Sequence, residues 1–328
     1  MSFMRRNALV AALAWMAVGL VCPAWAQSAM SFPNRSIRIV VPYSPGGPVD
    51  VTARILAEPL ARHLGKPVVV ENRPGGNAAI GTESVARSAP DGYTLLMAAP
   101  AHTSNPSLIK SLTFNTARDF APISCVMDQP LLIAVHATLD VNTVPELIAK
   151  LKANPDQFNY GTSGAGGPQH LMGEMFKSAT GTRITHIPYK GAAPASVALL
   201  AGETQVAFST PTNILPHAKA GKLKMLAVST ARRSPFTPEL PTLAELGITG
   251  FDYSSWTGLL APAGTPPDVI QKIYAAVTAS LAEKEIRDKM LSNGIQPLGT
   301  SPEEFARFLA LDLNRSAKII ADSGVKPE

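Results

Sequence analysis

The feature that most constrains the fold of this chain is a turn that occurs twice, each time between an apolar strand and a helix. Residues 41–50 read VPYSPGGPVD, and residues 160–170 read YGTSGAGGPQH. In both, a proline follows two glycines and suits the first helical position, where its missing N–H costs no hydrogen bond. Strand–turn–helix units of this kind are typical of parallel sheets. The repeated turn therefore predicts an α/β protein that uses the same unit in two separate segments.

Strand and helix patterns alternate along the chain and restart in its middle. Apolar runs predict strands at residues 37–43, 68–70, 94–98, 131–135, 158–162, 184–189, 206–210 and 223–229. Helical spacing predicts helices at residues 48–64, 78–87, 145–152, 168–178, 194–200, 267–281, 284–291 and 302–322. Two long apolar segments, 120–135 and 251–261, do not fit the repeat, and we expect each to cross between two lobes. The predicted organisation is 1–26 as a signal peptide, 27–125 and 251–328 as the first lobe, and 126–250 as the second.

The two glycine turns are candidate anion sites. A helix N-terminus carries unpaired N–H donors and a partial positive charge, and ligands gather at the carboxyl ends of strands in open α/β sheets. Two such turns facing across a cleft would hold a carboxylate without Arg or Lys. The alternative is that either turn is only structural. Asp50 is expected to be the third residue of its helix, and two roles are open for it. Its carboxylate either accepts the Gly47 N–H in a capping box or contacts the ligand directly. His170 either donates to the ligand or serves as a surface or supporting residue.

The N-terminus has the pattern of an export signal. Arg5 and Arg6 precede an apolar run, and Ala24-Trp25-Ala26 forms a small-residue cleavage site, so the mature chain is expected to begin at Gln27 in the periplasm. Cleavage removes two arginines and no acid, which lowers the formal net charge from +5 to +3. No basic run with interleaved aromatics suggests nucleic-acid binding. Cleavage also removes Cys22, so only Cys125 remains, in an apolar run that indicates a buried, inert thiol.

Catalytic and cofactor motifs fit the chain poorly. Residues 161–165 read GTSGA, so a nucleophile elbow around Ser163 lacks its final glycine. Residues 164–169 read GAGGPQ, and a dinucleotide loop would need glycine where Gln169 stands. The six histidines show no metal-ligand spacing. We therefore expect no cofactor, no metal and no enzymatic activity, with a serine esterase using Ser163 as the rival hypothesis.

In order along the chain, several segments resemble the periplasmic receptors of tripartite tricarboxylate transporters, the Bug family. The segments are IRIVVPYSPGGPVDVTAR (37–54), VVVENRPGG (68–76), APDGYTLLMA (89–98), NYGTSGAGGPQHLMGEMF (159–176), ITHIPYKGAAPA (184–195), AGETQVAF (201–208), AGKLKMLAVST (220–230) and GLLAPAGTP (258–266). The resemblance covers essentially the whole mature chain. It implies a two-lobed fold like that of type II periplasmic binding proteins, with two crossover strands joining the lobes.

The resemblance also implies the residues of a carboxylate site. The implied contacts are Tyr43, Ser44, Gly46, Gly47 and Asp50 in the first turn, Ser163, Gly164, Gly166 and Gly167 in the second, and Ala98 and Ala99 in a cleft loop. The family often carries Thr or Ser at the cleft loop, so the two alanines offer fewer hydrogen bonds. After the strand that ends at Phe208 the family often has an acid and then Asn, whereas this chain has Ser209 and Thr210. We include Phe208, Thr210 and His170 in the predicted site.

The resulting functional hypothesis is a monomeric, exported receptor that captures a small organic carboxylate and delivers it to a membrane permease. The same binding module would also suit a receptor that signals to a sensor kinase. A single sequence does not separate transport from signalling, and it does not identify the acid.

Overall fold

The computed structural model describes residues 32–323 and 325. The predicted signal peptide, its cleavage site and Cys22 lie outside the described residues. The described chain forms two β-sheets with helices packed against them, so the expected α/β class is confirmed. Among these residues no helix is both long enough and apolar enough to span a membrane.

The first sheet has six strands in the order β11-β4-β10-β3-β1-β2. Its strands are β1 (Ile37–Val41), β2 (Val68–Asn72), β3 (Thr94–Ala98), β4 (Phe120–Pro130), β10 (Ser254–Pro262) and β11 (Gln296–Pro297). Its helices are α1 (Pro48–Leu64), α2 (Ala79–Ala86), α3 (Ala101–Leu108), α8 (Pro267–Ala282), α9 (Lys284–Ser292) and α10 (Pro302–Ser323). β1 pairs in parallel with β2 and β3, whereas β10 runs antiparallel to β3 and β4.

The second sheet has five strands in the order β7-β6-β8-β5-β9. Its strands are β5 (Leu132–His136), β6 (Asn159–Thr162), β7 (Thr185–Pro188), β8 (Val206–Ser209) and β9 (Leu223–Val228). Its helices are α4 (Val144–Ala153), α5 (Pro168–Thr180), α6 (Ala192–Leu200) and α7 (Pro211–Lys219). β6 pairs in parallel with β7 and β8, so the second turn also follows a parallel strand.

Two connections pass between the sheets. β4 belongs to the first sheet as far as Pro130, and β5 begins the second sheet at Leu132. The chain returns between Val228, the end of β9, and Ser254, the start of β10. This sheet membership is compatible with the division at residues 125 and 250, which stays a prediction. Each sheet with its helices is called a lobe below.

The helix that follows the first turn is formed as the sequence pattern indicates. Pro48 is its first residue, and Gly65 ends it in the left-handed conformation at φ 70°. Its apolar positions Ile55, Leu56 and Leu60 are buried against the sheet. Burying each such side chain contributes about 1.5–3 kcal/mol, and the helix continues through Pro59 because the packed face outweighs one lost backbone bond.

Helix α3 was not expected from the sequence. It begins after Pro100, contains Pro106 and buries the polar residues Thr103, Ser104 and Asn105. Thr103 Oγ1 donates to Asp312 Oδ2 at 2.7 Å, and Asn105 Nδ2 donates to the Asn77 carbonyl at 2.8 Å. Partners distant in sequence thus satisfy Thr103 and Asn105, and a periodicity of apolar residues does not reveal this helix.

Candidate functional site

Both glycine turns have the backbone that the sequence pattern predicts. Gly47 and Gly167 are N-caps with extended backbone, at φ −81° and −69°, and a proline follows each as the first helical residue. The glycines before them differ: Gly46 has φ 86° and Gly166 has φ 68°. These left-handed values suit glycine, because a Cβ would meet the backbone there. The first glycine of each Gly-Gly-Pro is therefore required by its backbone conformation, as is Gly164, at φ 140°, in the second turn.

The two turns line one small pocket of about 30 Å³ between the lobes. Its lining residues are Tyr43, Ser44, Gly47, Pro48, Val49, Ala99, Ser163, Pro168, Gln169, Ala192 and Ser255. No Arg, Lys or His is among them. The N-terminal ends of α1 and α5 both border this pocket, and each carries a partial positive charge. An anion here would be stabilised by helix ends and neutral polar groups alone.

Two of the backbone donors proposed for the anion are already bonded inside their own turns. The Gly46 N–H donates to Asp50 Oδ2 at 2.9 Å, and the Gly166 N–H donates to His170 Nδ1 at 2.8 Å. The prediction that Asp50 accepts the Gly47 N–H is therefore wrong by one residue, since Asp50 accepts the Gly46 N–H. The carboxylate accepts from the left-handed glycine before the cap, because the turn points that N–H back toward the helix.

The N–H groups that remain available belong to the first helical turn. The ladder of α1 starts with Val51 N–H donating to the Gly47 carbonyl, and that of α5 with Leu171 N–H donating to the Gly167 carbonyl. Helical N–H groups that precede the ladder have no partner within the helix. These are the N–H groups of the second and third helical residues, which in α1 are Val49 and Asp50.

Asp50 is buried at the start of α1, with 3% of its surface exposed. Its carboxylate accepts from Arg54 Nε at 3.0 Å and from Asn72 Nδ2 at 2.9 Å, besides Gly46. Burial raises the pKa of Asp50, but the hydrogen bonds from Arg54, Gly46 and Asn72 outweigh it, so the pKa lies below its ordinary value. Asp50 is therefore an ionised part of the turn whose charge Arg54 balances.

Ser163 and Ser44 each make one short hydrogen bond at the pocket wall. Ser163 Oγ donates to Gln169 Oε1 at 2.6 Å. Ser44 Oγ donates to the Lys190 carbonyl at 2.5 Å and so joins the first lobe to the second. The neighbouring imidazole, His170, accepts from Gly166 and not from Ser163. Ser163 is thus held as a pocket-lining hydroxyl.

A larger cavity of about 690 Å³ shares Tyr43 and Ser163 with the small pocket. Its lining residues are Pro42, Tyr43, Pro74, Gly75, Gly76, Asn77, Ala78, Leu108, Ile109, Ser111, Ser163, Gly164, Ala165, His170, His186, Pro188, Tyr189, Lys190 and Val325. Lys190 is the one charged side chain in that lining, which also includes two histidines. Across the described residues no group of three or more His, Cys, Asp or Glu is arranged to hold a metal ion.

The structure distributes the predicted site residues over three environments. Those on the small pocket are Tyr43, Ser44, Gly47, Ala99 and Ser163, and those on the larger cavity include Gly164 and His170. Gly46, Asp50, Ala98, Gly166, Gly167, Phe208 and Thr210 line neither cavity. Phe208 and Thr210 are fully buried. The role of each of these residues in binding stays a prediction.

Sequence reasoning missed several pocket residues. Pro48, Val49, Pro168 and Gln169 directly follow the predicted glycines, so the helix-start pattern itself was a usable signal. Ala192 and Ser255 are different, because they reach the pocket from α6 and β10. Only the tertiary arrangement brings those two elements to the turns.

Comparisons with known proteins agree with this architecture. A family model described as the tripartite tricarboxylate transporter family receptor matches residues 52–325. The chain is 36% identical to BugT of Bordetella pertussis over 304 residues, which cover 91% of this chain and 92% of the relative. The solved structure of the periplasmic binding protein BugD has a TM-score of 0.86 and 35% identity, with 90% and 100% of the two chains covered.

Two further solved structures are similar and contain acids. An R. palustris protein with adipate has a TM-score of 0.87 and 33% identity, and covers 90% of this chain and 100% of its own. MatC of Rhodopseudomonas palustris with bound malate has a TM-score of 0.83 and 28% identity, and covers 88% of this chain and 100% of its own. The two-lobed fold of periplasmic binding proteins is thereby confirmed.

Proposed function

The chain belongs to the tripartite tricarboxylate transporter receptor family, and from that membership we propose that it captures a small organic carboxylate between its two lobes. The observation that carries the proposal is the shared pocket at the N-terminal ends of α1 and α5, whose lining has no Arg, Lys or His. A carboxylate placed there accepts from first-turn N–H groups and from the hydroxyl of Ser255, since the Ser44 and Ser163 hydroxyls already donate to the Lys190 carbonyl and to Gln169 Oε1.

The chemistry of such a site distinguishes an anion from a neutral analogue. Each hydrogen bond to a charged group contributes about 1.5–3 kcal/mol, and helix ends add a favourable interaction only for negative charge. Adipate and malate, the acids in structures of two relatives, are the first probes. Converting the carboxylates to amides keeps the size of the probe and removes its charge.

Isothermal calorimetry on the mature chain tests the proposal. We expect an acid from a panel that starts with adipate and malate to bind, and its amide to bind at least tenfold more weakly. A chain that binds amide and acid equally, or that binds no acid in the panel, contradicts the proposal. Gly167→Val, which places a β-branched residue at the N-cap of α5, should weaken binding by about tenfold to a hundredfold in folded protein.

We further propose export to the periplasm after cleavage behind Ala26, function as a monomer, and delivery of the acid to a membrane permease. N-terminal sequencing of periplasmic protein should begin at Gln27. Loss of uptake of the bound acid in a strain without this receptor tests delivery, and unchanged uptake favours a signalling role with a sensor kinase.

The absence of catalysis is part of the same proposal. Ser163 Oγ donates to Gln169 Oε1 and His170 Nδ1 accepts from Gly166, so His170 is not placed as a general base for this serine. Turnover of a chromogenic ester that disappears in Ser163→Ala would instead support the esterase hypothesis.

A further inference from the structure

The two glycine turns are built alike down to one side-chain contact. In each, the third helical residue accepts the N–H of the left-handed glycine four positions earlier: Asp50 from Gly46 at 2.9 Å, and His170 from Gly166 at 2.8 Å. The contact ties the turn to the helix that it starts. What differs is charge, because the first acceptor is an ionised carboxylate and the second is an imidazole.

The imidazole of His170 is held in one orientation and one tautomer. Nδ1 accepts from Gly166, so the ring proton is on Nε2, which lies 3.7 Å from Glu174 Oε1. The ring stacks on His186 with a centroid separation of 3.8 Å and an interplanar angle of 11°. His170 is 4% exposed. These contacts leave the ring little freedom to release Gly166.

His186 restrains the other end of the same turn. Its Nε2 lies 2.6 Å from Thr162 Oγ1, and this hydroxyl also contacts the Gly164 N–H at 3.3 Å and the Gly164 carbonyl at 3.0 Å. The two stacked rings therefore restrain the turn on both sides of Ala165. His170 accepts from the Gly166 N–H, and His186 contacts Thr162, whose hydroxyl contacts Gly164. The second turn is therefore held by the side chains of His170 and Thr162, which do not line the small pocket.

We propose that His170 is a positioning residue, whose neutral imidazole fixes the second glycine turn so that the first N–H groups of α5 face the bound carboxylate. The inference rests on the proposed function. A neutral acceptor matters because a second carboxylate beside the pocket would repel the ligand, which already has Asp50 near the opposite turn. Burial, which lowers the pKa of His170, supports the neutral form.

Two neutral variants separate this role from simple packing. In His170→Asn the amide oxygen can occupy the place of Nδ1, whereas in His170→Gln it reaches the place of Nε2. Both variants keep a polar, uncharged side chain, and only the first keeps an acceptor for Gly166. We expect His170→Asn to retain affinity within about threefold, and His170→Gln to lose at least tenfold, by calorimetry with the acid that binds wild type.

A ligand-free measurement tests whether His170 holds the second turn, separately from the test of the proposed function. Amide hydrogen exchange at Gly166, followed by NMR, should be slow in wild type and in His170→Asn and at least tenfold faster in His170→Gln. Equal exchange in the two variants, or equal affinity, overturns the positioning role. A wild-type chain that binds no acid contradicts the proposed function, while the exchange result still decides the role of His170.

Discussion

A side chain at Gly166 should destabilise the protein for two reasons that can be measured separately. The residue has φ 68°, where a Cβ costs about 1–2 kcal/mol. An ideal Cβ would lie 1.7 Å from Leu108 Cδ1 and 3.1 Å from its Cγ. Leu108 ends α3, is 4% exposed and packs in the core cluster of the second lobe, and it also lines the larger cavity, so its side chain can move aside only by leaving these packed contacts. Overpacking of this kind costs about 1–3 kcal/mol.

We therefore expect Gly166→Ala to lower the free energy of unfolding by about 2–5 kcal/mol in urea denaturation. Gly47→Ala is the matched control. Gly47 has φ −81°, and its added Cβ would lie 3.9 Å from Ala192 Cβ, an ordinary contact. This control should lose less than about 1 kcal/mol.

A double-mutant cycle isolates the clash. Leu108→Ala alone should cost about 2–5 kcal/mol through its cavity, but it also removes the atoms that the new Cβ meets. The double variant should be about 1–3 kcal/mol more stable than the sum of the single losses. Strict additivity within about 0.5 kcal/mol, or a Gly166→Ala variant as stable as Gly47→Ala, would refute the reasoning.

Three further predictions concern ionisable groups that are buried or half-buried. Asp50→Ala removes the charge-assisted bonds from Gly46 and Asn72 and should lower the free energy of unfolding by about 3 kcal/mol; a loss below about 1 kcal/mol in urea denaturation would contradict it. Burial lowers the pKa of His186 from 6.5 to about 3, with smaller contributions from His170 and Lys177. As the pH falls, His186 is therefore protonated in the unfolded chain before it is protonated in the folded one. The contribution of neutral His186 to the free energy of unfolding should thus be fully present above about pH 6.5 and be lost as the pH drops toward 3. The free energy of unfolding should therefore decrease less over this range in His186→Gln than in wild type. Equal pH profiles for the two proteins would contradict this prediction. Burial, then the charge of Asp128, raises the pKa of the Cys125 thiol to about 12, so a thiol reagent at pH 8 should label mature protein only after unfolding; rapid labelling of folded protein would show that the thiol is accessible.

The features that the sequence predicted are local ones. The helix start at Pro48, the stop at Gly65 and the second helix start at Pro168 depend on glycine and proline conformations that neighbouring residues impose. The alternation of strands and helices followed from apolar spacing for the same reason, and the family followed from motifs in order along the chain. These parts of the fold needed no knowledge of distant contacts.

What only the tertiary structure decided is which polar groups remain available at the pocket. The sequence suggested that Gly46 and Gly166 offer their N–H groups to a ligand, but Asp50 and His170 accept both of them. The stacking of His170 on His186, from a strand beyond α5, is likewise invisible in the order of residues. Such choices depend on side-chain rotamers and on packing between elements distant in sequence, because each donor bonds to whichever acceptor the folded chain brings within about 3 Å.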